Sequence, residues 1–439
     1  MRAPIDHSKI VRGLKVVFPA VAGLLALTIV VWPELAHRDS GDRFAVAAAD
    51  QANIGETLAL DKPVFRMFDT QAQSFVVRAD SAREIAKGSQ VIALEYPYAD
   101  IALKKAVRVY VSARRGVLDQ KAGTLGLTDS LRVQTSGGHD IRTARASVDF
   151  NAKTIEGDAP VQGKSAAGNV EADGFRILDK GDKVVLLGHS RAEVAAKKGA
   201  AQAAFGFGFA SSSAPLVVVA EETMTWNRLE STLEAEGKAQ ATKGSSSLAA
   251  RLITAKYDGQ GRVRRLAARE SVAVKSWQNQ ASGAAMDYDL AADLLVLTGA
   301  PAKISTGTET LTAARFEYKP ARRLAVATGK ARILRADGSS VAAERIEAVL
   351  AESGGSLALA SAVATGDVVI AQGDEKAYGD RATYDAARGR AVLTGAVVLE
   401  RKGSFLRGKR LVVDMDSGVS ALESEGRIEG TFDPKGVKN

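Results

Sequence analysis

Residues 384–399 read YDAARGRAVLTGAVVL, and they contain the pattern that decides the fold. A tyrosine and an aspartate open a turn, and Gly395 follows ten residues after the aspartate. Around this glycine, Leu393, Val397 and Leu399 alternate with other residues, which is typical of a β-strand with one buried face and one solvent-exposed face. Glycine in the middle of a strand permits a sharp bend. The stretch therefore predicts a bent strand of an antiparallel sheet.

The same spacing recurs along most of the chain. In the first half the glycine position is occupied by Gly126, Gly157 and Gly188. In the second half it is occupied by Gly237, Ala268, Gly299, Gly329, Gly366, Gly395 and Gly426. Most of these positions lie about 31 residues apart, and a fixed period of this length indicates a repeat architecture. Each repeat is predicted to form about two bent antiparallel strands, with the glycine on the inward face and with turn residues closing most repeats.

Composition narrows the class of function. The chain has 439 residues, of which 46% are hydrophobic but only 5% aromatic, so the interior is expected to contain mainly small aliphatic side chains. The absence of cysteine excludes thiolate nucleophiles and disulfide frameworks. The net charge of +8 is dilute for a nucleic-acid binder but suits an anionic ligand or a membrane surface. Because the four histidines are scattered, we expect no histidine-based catalysis, metal site or cofactor.

An apolar segment near the N-terminus predicts a membrane anchor. Residues 16–32 carry no charge, which is the short end of what a transmembrane helix needs. Basic residues precede the segment and acidic residues are frequent after it, so the N-terminus is expected in the cytoplasm and the rest of the chain outside. A cleaved signal peptide is the alternative, because small-residue cleavage patterns follow at 45–49.

A second composition change divides the exported part. Residues 197–215 read KKGAAQAAFGFGFASSSAP, which is rich in Gly, Ser and Ala and indicates a linker. We therefore predict an all-β protein with two bent-sheet domains in tandem, preceded by one transmembrane helix. The predicted boundaries are a cytoplasmic N-terminus at 1–15, a transmembrane helix at 16–33, a first β domain at 34–197, a linker at 198–214 and a second β domain at 215–439.

Other motifs have plain structural explanations. The glycines at 206 and 208 lack the third glycine of a dinucleotide fingerprint. Histidines 139 and 189 have no nucleophile and acid in a recognisable catalytic context, so a surface role is expected. Two carboxylate pairs resemble glycosidase acids in type, but they lie at predicted turns, where aspartate caps the backbone: Asp287 with Asp289, and Asp414 with Asp416. A basic cluster is interpreted as a solvated strand face: Arg262, Arg264, Arg265 and Arg269.

Several short sequence motifs resemble those of lipopolysaccharide export proteins. Residues 1 to about 197 resemble the membrane-anchored adaptor of LptC type, through the short N-terminal helix, the SARRG phrase at 112–116 and the LD phrase at 118–119. Residues from about 215 onwards resemble the periplasmic bridge protein of LptA or OstA type, through YD at 288–289 and the YD…LTGAV phrase at 384–397. One chain with both parts resembles a natural fusion of two proteins.

The resemblance implies a fold and a function. It implies two β-jellyrolls whose apolar groove carries the acyl chains of lipopolysaccharide from the inner-membrane ABC transporter across the periplasm. Further bridge units, or the outer-membrane assembly complex, would join through edge strands, and the chain would be neither an enzyme nor an ATP binder. The resemblance also places the lipid groove on the inward residues Ile155, Val161, Leu186, Leu297, Ile333, Val368, Ile370, Leu393, Val397, Leu399 and Ile428.

Two alternatives from other classes stay open at this point. A structural or adhesive β-solenoid, anchored to the membrane, would have a closed core and no lipid cargo. A polysaccharide-processing β-helix enzyme would need carboxylates clustered along one groove, and the sequence shows no such cluster. Depletion of the protein, followed by measurement of new lipopolysaccharide at the cell surface, separates transport from both.

Overall fold

A computed structural model describes most of the chain after residue 58. The described residues are 59–68, 74–102, 108–149, 151–152, 154–166, 168–179, 182–194, 214–259, 263–276, 279–353, 356–414, 420–423 and 429–431. The contacts between Cα atoms divide the chain into two compact units. The first unit includes Met1–Lys198, Ser213–Ala241 and Leu252–Val263, and the second includes Gly199–Ser212, Thr242–Arg251 and Arg264–Asn439.

The first unit consists mainly of short strands. Their bounds are β1 Ala59–Asp61, β2 Val64–Phe68, β3 Ser74–Arg78, β4 Ser81–Glu84, β5 Val91–Glu95, β6 Tyr98–Ala102, β7 Arg108–Ser112, β8 Arg115–Asp119, β9 Thr124–Thr135, β10 Asp140–Asp149, β11 Thr154–Gly157, β12 Val161–Ser165, β13 Gly168–Ala172, β14 Gly174–Leu178, β15 Lys183–Leu187, β16 Ser190–Val194, β17 Leu216–Ala220 and β18 Thr223–Asn227. Two further strands, β19 Thr232–Lys243 and β20 Ser246–Tyr257, cross the division between the units.

Strand pairing in the first unit forms two antiparallel ladders. One ladder follows the order β1, β4, β5, β8, and the other follows the order β2, β3, β6, β7. The long strand β9 joins them, because its first half pairs with β8 and its second half with β7. Strands β1 and β2 thus form one bent strand that is interrupted at its corner, and the same holds for β3 with β4, β5 with β6, and β7 with β8.

The pairing in this unit continues on both sides of the predicted linker. Strand β16 pairs with β17, and β15 pairs with β18, although residues 195–213 separate them in sequence. Those residues lie outside the described part of the chain, so the linker at 198–214 and the domain boundaries stay predictions. The compact unit itself extends through Ala241, beyond the position at which the sequence pattern places the end of the first β domain.

Long strands dominate the second unit. Their bounds are β21 Val263–Ser276, β22 Asn279–Asp289, β23 Leu294–Ser305, β24 Glu309–Lys319, β25 Leu324–Arg335, β26 Ser340–Ser353, β27 Ser356–Gln372, β28 Glu375–Asp385, β29 Arg390–Arg401, β30 Ser404–Asp414, β31 Ser420–Glu423 and β32 Glu429–Thr431. From β21 to β30 each strand pairs antiparallel with the next, and a 3-10 helix at Pro320–Arg322 connects β24 to β25. The last two short strands both pair with β30.

The all-β antiparallel class is confirmed. None of the described residues forms a helix with the length and apolar character that a membrane crossing needs. The predicted transmembrane helix at 16–33 lies outside those residues, as does the repeat position Gly426.

Candidate functional site

Each long strand of the second unit changes direction at a bend near its middle. In β25, β27 and β29 the bend is a glycine and its successor, both in the left-handed region: Gly329–Lys330, Gly366–Asp367 and Gly395–Ala396. The pairing register shifts there, for example between Thr394 and Val397. Glycine is favoured because a side chain in this conformation is costly. The predicted bends at these glycines are confirmed.

The prediction that the repeat glycine faces inward is wrong at the bends of β25, β27 and β29, whereas a Cβ atom on Gly157 would meet the buried Phe175, as predicted. A Cβ atom built on Gly395 would meet the side chain of Asp380, which is exposed, so the position points outward. Strict alternation fails because the bend inserts an extra residue into the strand, as a β-bulge does. Two other positions also differ from the prediction. Strand β21 bends at Glu270–Ser271 rather than at Ala268, and β9 bends at Asp129–Ser130 rather than at Gly126.

Two rows of inward side chains flank the bends of the second unit, and we call them the bend rows. Every non-glycine member is buried, with at most 8% of its surface exposed. Burial of each large aliphatic member stabilises the fold by about 1.5–3 kcal/mol. Row A comprises Leu297, Phe316, Ala327, Ile346, Ala364, Ala382, Leu393 and Leu411. Row B comprises Ala302, Ala313, Ala331, Ala343, Val368, Gly379, Val397 and Gly408.

Two further inward rows lie two residues farther from each bend, and we call them the wing rows. All members except Leu295 and Ala377 are partly exposed. Row A comprises Leu295, Tyr318, Ala325, Ala348, Ala362, Tyr384, Ala391 and Val413. Row B comprises Ile304, Leu311, Ile333, Val341, Ile370, Ala377, Leu399 and Leu406. Inward side chains that are apolar yet partly exposed line an open apolar trough.

The outward face of the same strands carries charged side chains together with some valines, such as Val369 and Val398. Beside the bends, threonine and arginine alternate from strand to strand along one row: Thr298, Arg315, Thr328, Arg345, Thr365, Arg381, Thr394 and Arg410. Arg315 pairs with Glu317 at 2.8 Å, and Arg345 pairs with Glu347 at 2.9 Å. All sixteen side chains of bend and wing row A, and all those of row B, are uncharged, so the charged side chains of these strands lie on the outward face.

The first unit also buries an inward row beside its corners. Its members are 2–8% exposed, and they comprise Ala82, Leu94, Leu127, Ala146, Phe175, Leu186 and Met224. The next row of inward side chains lies two residues farther from the corners. In this row Ile92, Leu118 and Leu125 are partly exposed, whereas Ile177 and Val184 are buried. The apolar interior of this unit is therefore open near β5 and filled near β14 and β15.

The predicted groove residues fall into two groups. Leu297, Val368, Leu393 and Val397 lie in the bend rows of the second unit, and Val161 and Leu186 are buried in the first. The partly exposed residues are Ile333, Ile370 and Leu399 in wing row B, and Ile155 in the first unit. Ile428 lies outside the described residues. All ten described residues are apolar and at most partly exposed, but the six buried ones offer little surface to a ligand.

Sequence reasoning missed most of the wing rows. Ile304, Leu311 and Val341 lie directly across the strands from predicted residues or their neighbours, and they were available from the same alternation. Tyr318 and Tyr384 in wing row A lie at the edge of the pattern, next to the turns. Burial raises the pKa of the Tyr318 phenol, as expected for an aromatic ring that is partly withdrawn from water. The feature that separates the wing rows from the bend rows is the distance from the bend, and alternation along a strand does not contain this distance.

The aspartates Asp287 and Asp289 have structural partners. Burial alone would raise the pKa of Asp287, but hydrogen bonds from Arg269 and Arg265 lower it below the usual range. Asp289 accepts hydrogen bonds from the backbone N–H groups of Ala291 and Ala292, at 2.9 Å each, as predicted for a turn. Among the described residues, no group of three or more His, Asp or Glu could hold a metal ion.

The two histidines in the described part of the chain differ. The side chain of His189 is 82% exposed and contacts Asp173 at 3.1 Å, which agrees with the surface role predicted for it. His139 is partly buried instead, its Nδ1 lies 3.1 Å from the Thr135 hydroxyl, and burial lowers its pKa. Neither side chain contacts a nucleophile together with an acid.

Comparisons with known proteins agree with this geometry. Residues 84–195 match the family described as lipopolysaccharide-assembly, LptC-related. Residues 220–323 and 355–419 match the family described as LptA/(LptD N-terminal domain) LPS transport protein. A search of curated proteins found no match.

Among the solved structures that match, one is similar over part of the chain. It is the crystal structure of LptH, the LptA homologous periplasmic component of the lipopolysaccharide transport device from Pseudomonas aeruginosa. The identity is 17% and the TM-score 0.25, with 29% of this chain and 95% of LptH covered. With its two matched families in sequence order, this chain is a lipopolysaccharide transport protein that acts as a bridge across the periplasm, with an LptC-related part followed by an LptA-type part.

Proposed function

We propose that the acyl chains of lipopolysaccharide lie along the wing rows of the bent sheets. The observation that carries this proposal is the gradient of exposure on the inward face, from buried bend rows to partly exposed wing rows. Acyl chains leave water when they contact such a surface, so they are held without any covalent step. A closed structural core would have buried wing rows as well.

Entry and anchoring complete the proposal. Residues 16–33 would hold the chain in the inner membrane with the N-terminus in the cytoplasm, and the inner-membrane ABC transporter would deliver the lipid. The matched families are transport families rather than enzyme families, which supports a chain that catalyses no reaction and uses no ATP itself. Two β-jellyrolls in tandem would provide the path.

Open sheet edges support the connection to further bridge components. Among the described strands, β1 pairs only with β4 and β2 only with β3, while β31 and β32 pair only with β30. The unpaired side of such a strand offers backbone N–H and C=O groups to a strand of another chain. The first edge would face the transporter and the last edge a further bridge unit or the outer-membrane complex.

Photo-crosslinking tests the position of the lipid. A photoreactive amino acid at Ile370 or Leu399 is expected to give lipopolysaccharide adducts in cells, because these side chains are inward and partly exposed. The matched controls are Val369 and Val398, which are apolar neighbours on the outward face of the same strands. Val368 and Val397, in the buried bend row, are expected to give weaker adducts. Equal yields from the inward and outward neighbours would refute the proposed groove.

A further inference from the structure

A pair of tyrosines lies on the outward face of the first unit. Tyr98 in β6 is opposite Ser112 in β7, and Tyr110 is diagonal to it. The ring centroids are 6.4 Å apart with 23° between the ring planes, and 37% of Tyr98 is exposed. Val109, the neighbour of Tyr110 in sequence, is 0% exposed, so the tyrosines lie on the face opposite the apolar interior.

An arginine is fixed against this pair. The Arg108 guanidinium lies 6.0 Å from the centroid of the Tyr110 ring. It donates two hydrogen bonds to the carboxylate of Asp100, from Nε at 3.1 Å and from Nη2 at 2.5 Å. The Arg108 backbone N–H donates to the Ser136 hydroxyl at 3.1 Å, and Ser136 N–H donates back to the Arg108 carbonyl at 2.9 Å. Because backbone and side chain are both held, the guanidinium needs little ordering on ligand binding.

A second charged cluster follows on the next two strands of the same face. Arg132 in β9 lies opposite Ser112, and Arg142 in β10 lies opposite Arg132. Arg132 donates to Asp140 from Nε at 2.9 Å and from Nη2 at 2.7 Å, and Arg142 Nη2 donates to the same carboxylate at 2.9 Å. Guanidinium and carboxylate groups thus lie on both sides of the tyrosine pair.

The charge of this surface is unbalanced. Arg78 in β3 lies opposite Tyr98 on the other side. Four guanidinium groups therefore lie on this face, at Arg78, Arg108, Arg132 and Arg142, and two carboxylates, those of Asp100 and Asp140, pair with three of them. The excess positive charge favours an anionic partner.

We propose that this surface, formed by β6, β7, β9 and β10, binds peptidoglycan, in which an amino-sugar glycan carries stem peptides with free carboxylates. The negative face of an aromatic ring attracts the polarised C–H groups on the apolar face of a sugar. The fixed Arg and Asp groups bind hydroxyls and carboxylates in defined directions. Four strands about 4.8 Å apart extend roughly 14 Å, enough for more than one sugar. The bridge would thereby be held at the cell wall while the inward face carries lipid.

Sedimentation with purified peptidoglycan sacculi tests the proposal. The full chain in detergent is expected to sediment with sacculi, and Tyr98→Ala with Tyr110→Ala is expected to weaken binding about tenfold. The Tyr98→Phe, Tyr110→Phe variant keeps both rings and should bind as the wild type. Tyr378→Ala is the matched control, because Tyr378 is an outward tyrosine whose hydroxyl donates to Glu400 at 2.8 Å and which lies in the second unit.

Competition identifies the source of the sugar. Soluble muropeptides, which carry both the amino sugars and the stem-peptide carboxylates, are expected to release the protein, whereas micelles of lipopolysaccharide are not. A wild-type chain that stays in the supernatant, an alanine pair that sediments unchanged, or release by lipopolysaccharide alone would each overturn the proposal. Crosslinking of lipopolysaccharide at Ile370 is a separate readout and should be the same in the alanine pair, so failure here is distinguishable from failure of the proposed groove.

Discussion

The two units build bent strands in different ways. In the first unit most bent strands are interrupted, and the corner is made by residues between two strands of three to five residues. At one corner Tyr96 N–H donates to the Arg114 carbonyl at 2.7 Å, and Ala113 N–H donates to the Pro97 carbonyl at 3.2 Å. In the second unit the strands of 11 to 17 residues are continuous, and they bend at a bulge.

This difference shows which feature the bend depends on. The interrupted corners use backbone hydrogen bonds between adjacent corners, so they tolerate several residue types. The continuous strands β25, β27 and β29 place two successive residues in the left-handed region, which is why glycine recurs at these bends. The glycine period is therefore clearest in the second half of the chain and weaker in the first.

The largest change that the second unit, with its continuous strands, should tolerate is the loss of one whole hairpin. Deletion of residues 324–360 joins Arg323 to Ser361 and removes two strand lengths. Ser361 then lies opposite Lys319 in place of Leu324, and Ala364 lies opposite Phe316 in place of Ala327, since both residues of each pair occupy equivalent ladder positions. We expect a folded β protein whose second unit is shorter by roughly 10 Å.

The control for this deletion is one residue longer. Removal of residues 324–361 shifts the register by one, which turns every inward side chain of the following strand outward. Circular dichroism and urea unfolding should show that the unfolding transition of the second unit is retained in the first deletion and lost in the second. If both deletions unfold alike, strand register does not determine the fold of this unit.

A smaller effect is expected from a single bend glycine. Gly395→Ala should lower the free energy of unfolding by about 2–3 kcal/mol, because it adds a left-handed alanine and a Cβ that meets Asp380. Gly338 has a similar φ of 84°, but no atom lies within 4 Å of a Cβ built there. Gly338→Ala should therefore cost only about 1 kcal/mol.

Urea denaturation of the two variants measures this difference. Equal losses would mean that the close approach to Asp380 adds nothing to the cost at the bend. The double variant Gly395→Ala, Asp380→Gly, compared with Asp380→Gly alone, should recover part of the loss, because the Cβ, Cγ and Oδ2 atoms of Asp380 that would meet the added Cβ are then absent. No recovery would assign the whole cost to the backbone conformation.

The sequence predicted the class of fold well and the individual bends less well. Period-two alternation around Gly329, Gly366 and Gly395 identified inward residues correctly, because burial requires it on both sides of the bend. It failed at Ala268 and Gly126, since the bends in β21 and β9 use Glu270–Ser271 and Asp129–Ser130. Of these residues only aspartate is enriched in the left-handed region, so neither residue type nor spacing marks the two bends.

The candidate groove was predicted in character but not in depth. Alternation assigns Leu393 and Leu399 to the same face, yet Leu393 is 1% exposed and Leu399 is partly exposed. Their difference depends on the distance from the bend and on the cover that the opposite wing provides. That is a tertiary property, and a pattern along one strand does not contain it. The tyrosine pair was missed for the same reason, because Tyr98 and Tyr110 meet only across strands.

The smallest expected effect concerns two aspartates that each bridge two arginines, one in each unit. Hydrogen bonds from Arg132 and Arg142 lower the pKa of Asp140 far below its usual range. For Asp287 burial raises the pKa, and hydrogen bonds from Arg269 and Arg265 outweigh it. A folded pKa below the unfolded value of 3.8 contributes stability that is present above this pH and is lost as the pH falls below it.

Asparagine variants compare the two bridges. Between about pH 5 and about pH 2, the urea midpoint of the wild type should fall, and Asp140→Asn should flatten this fall more than Asp287→Asn. The reason is that no large burial penalty opposes the arginine hydrogen bonds at Asp140, whereas burial is the largest influence at Asp287. Because both bridges are partly exposed, salt should reduce both effects. A steeper pH dependence in either variant would contradict this prediction. It would mean that the pKa of the aspartate concerned is higher in the folded chain than in the unfolded chain.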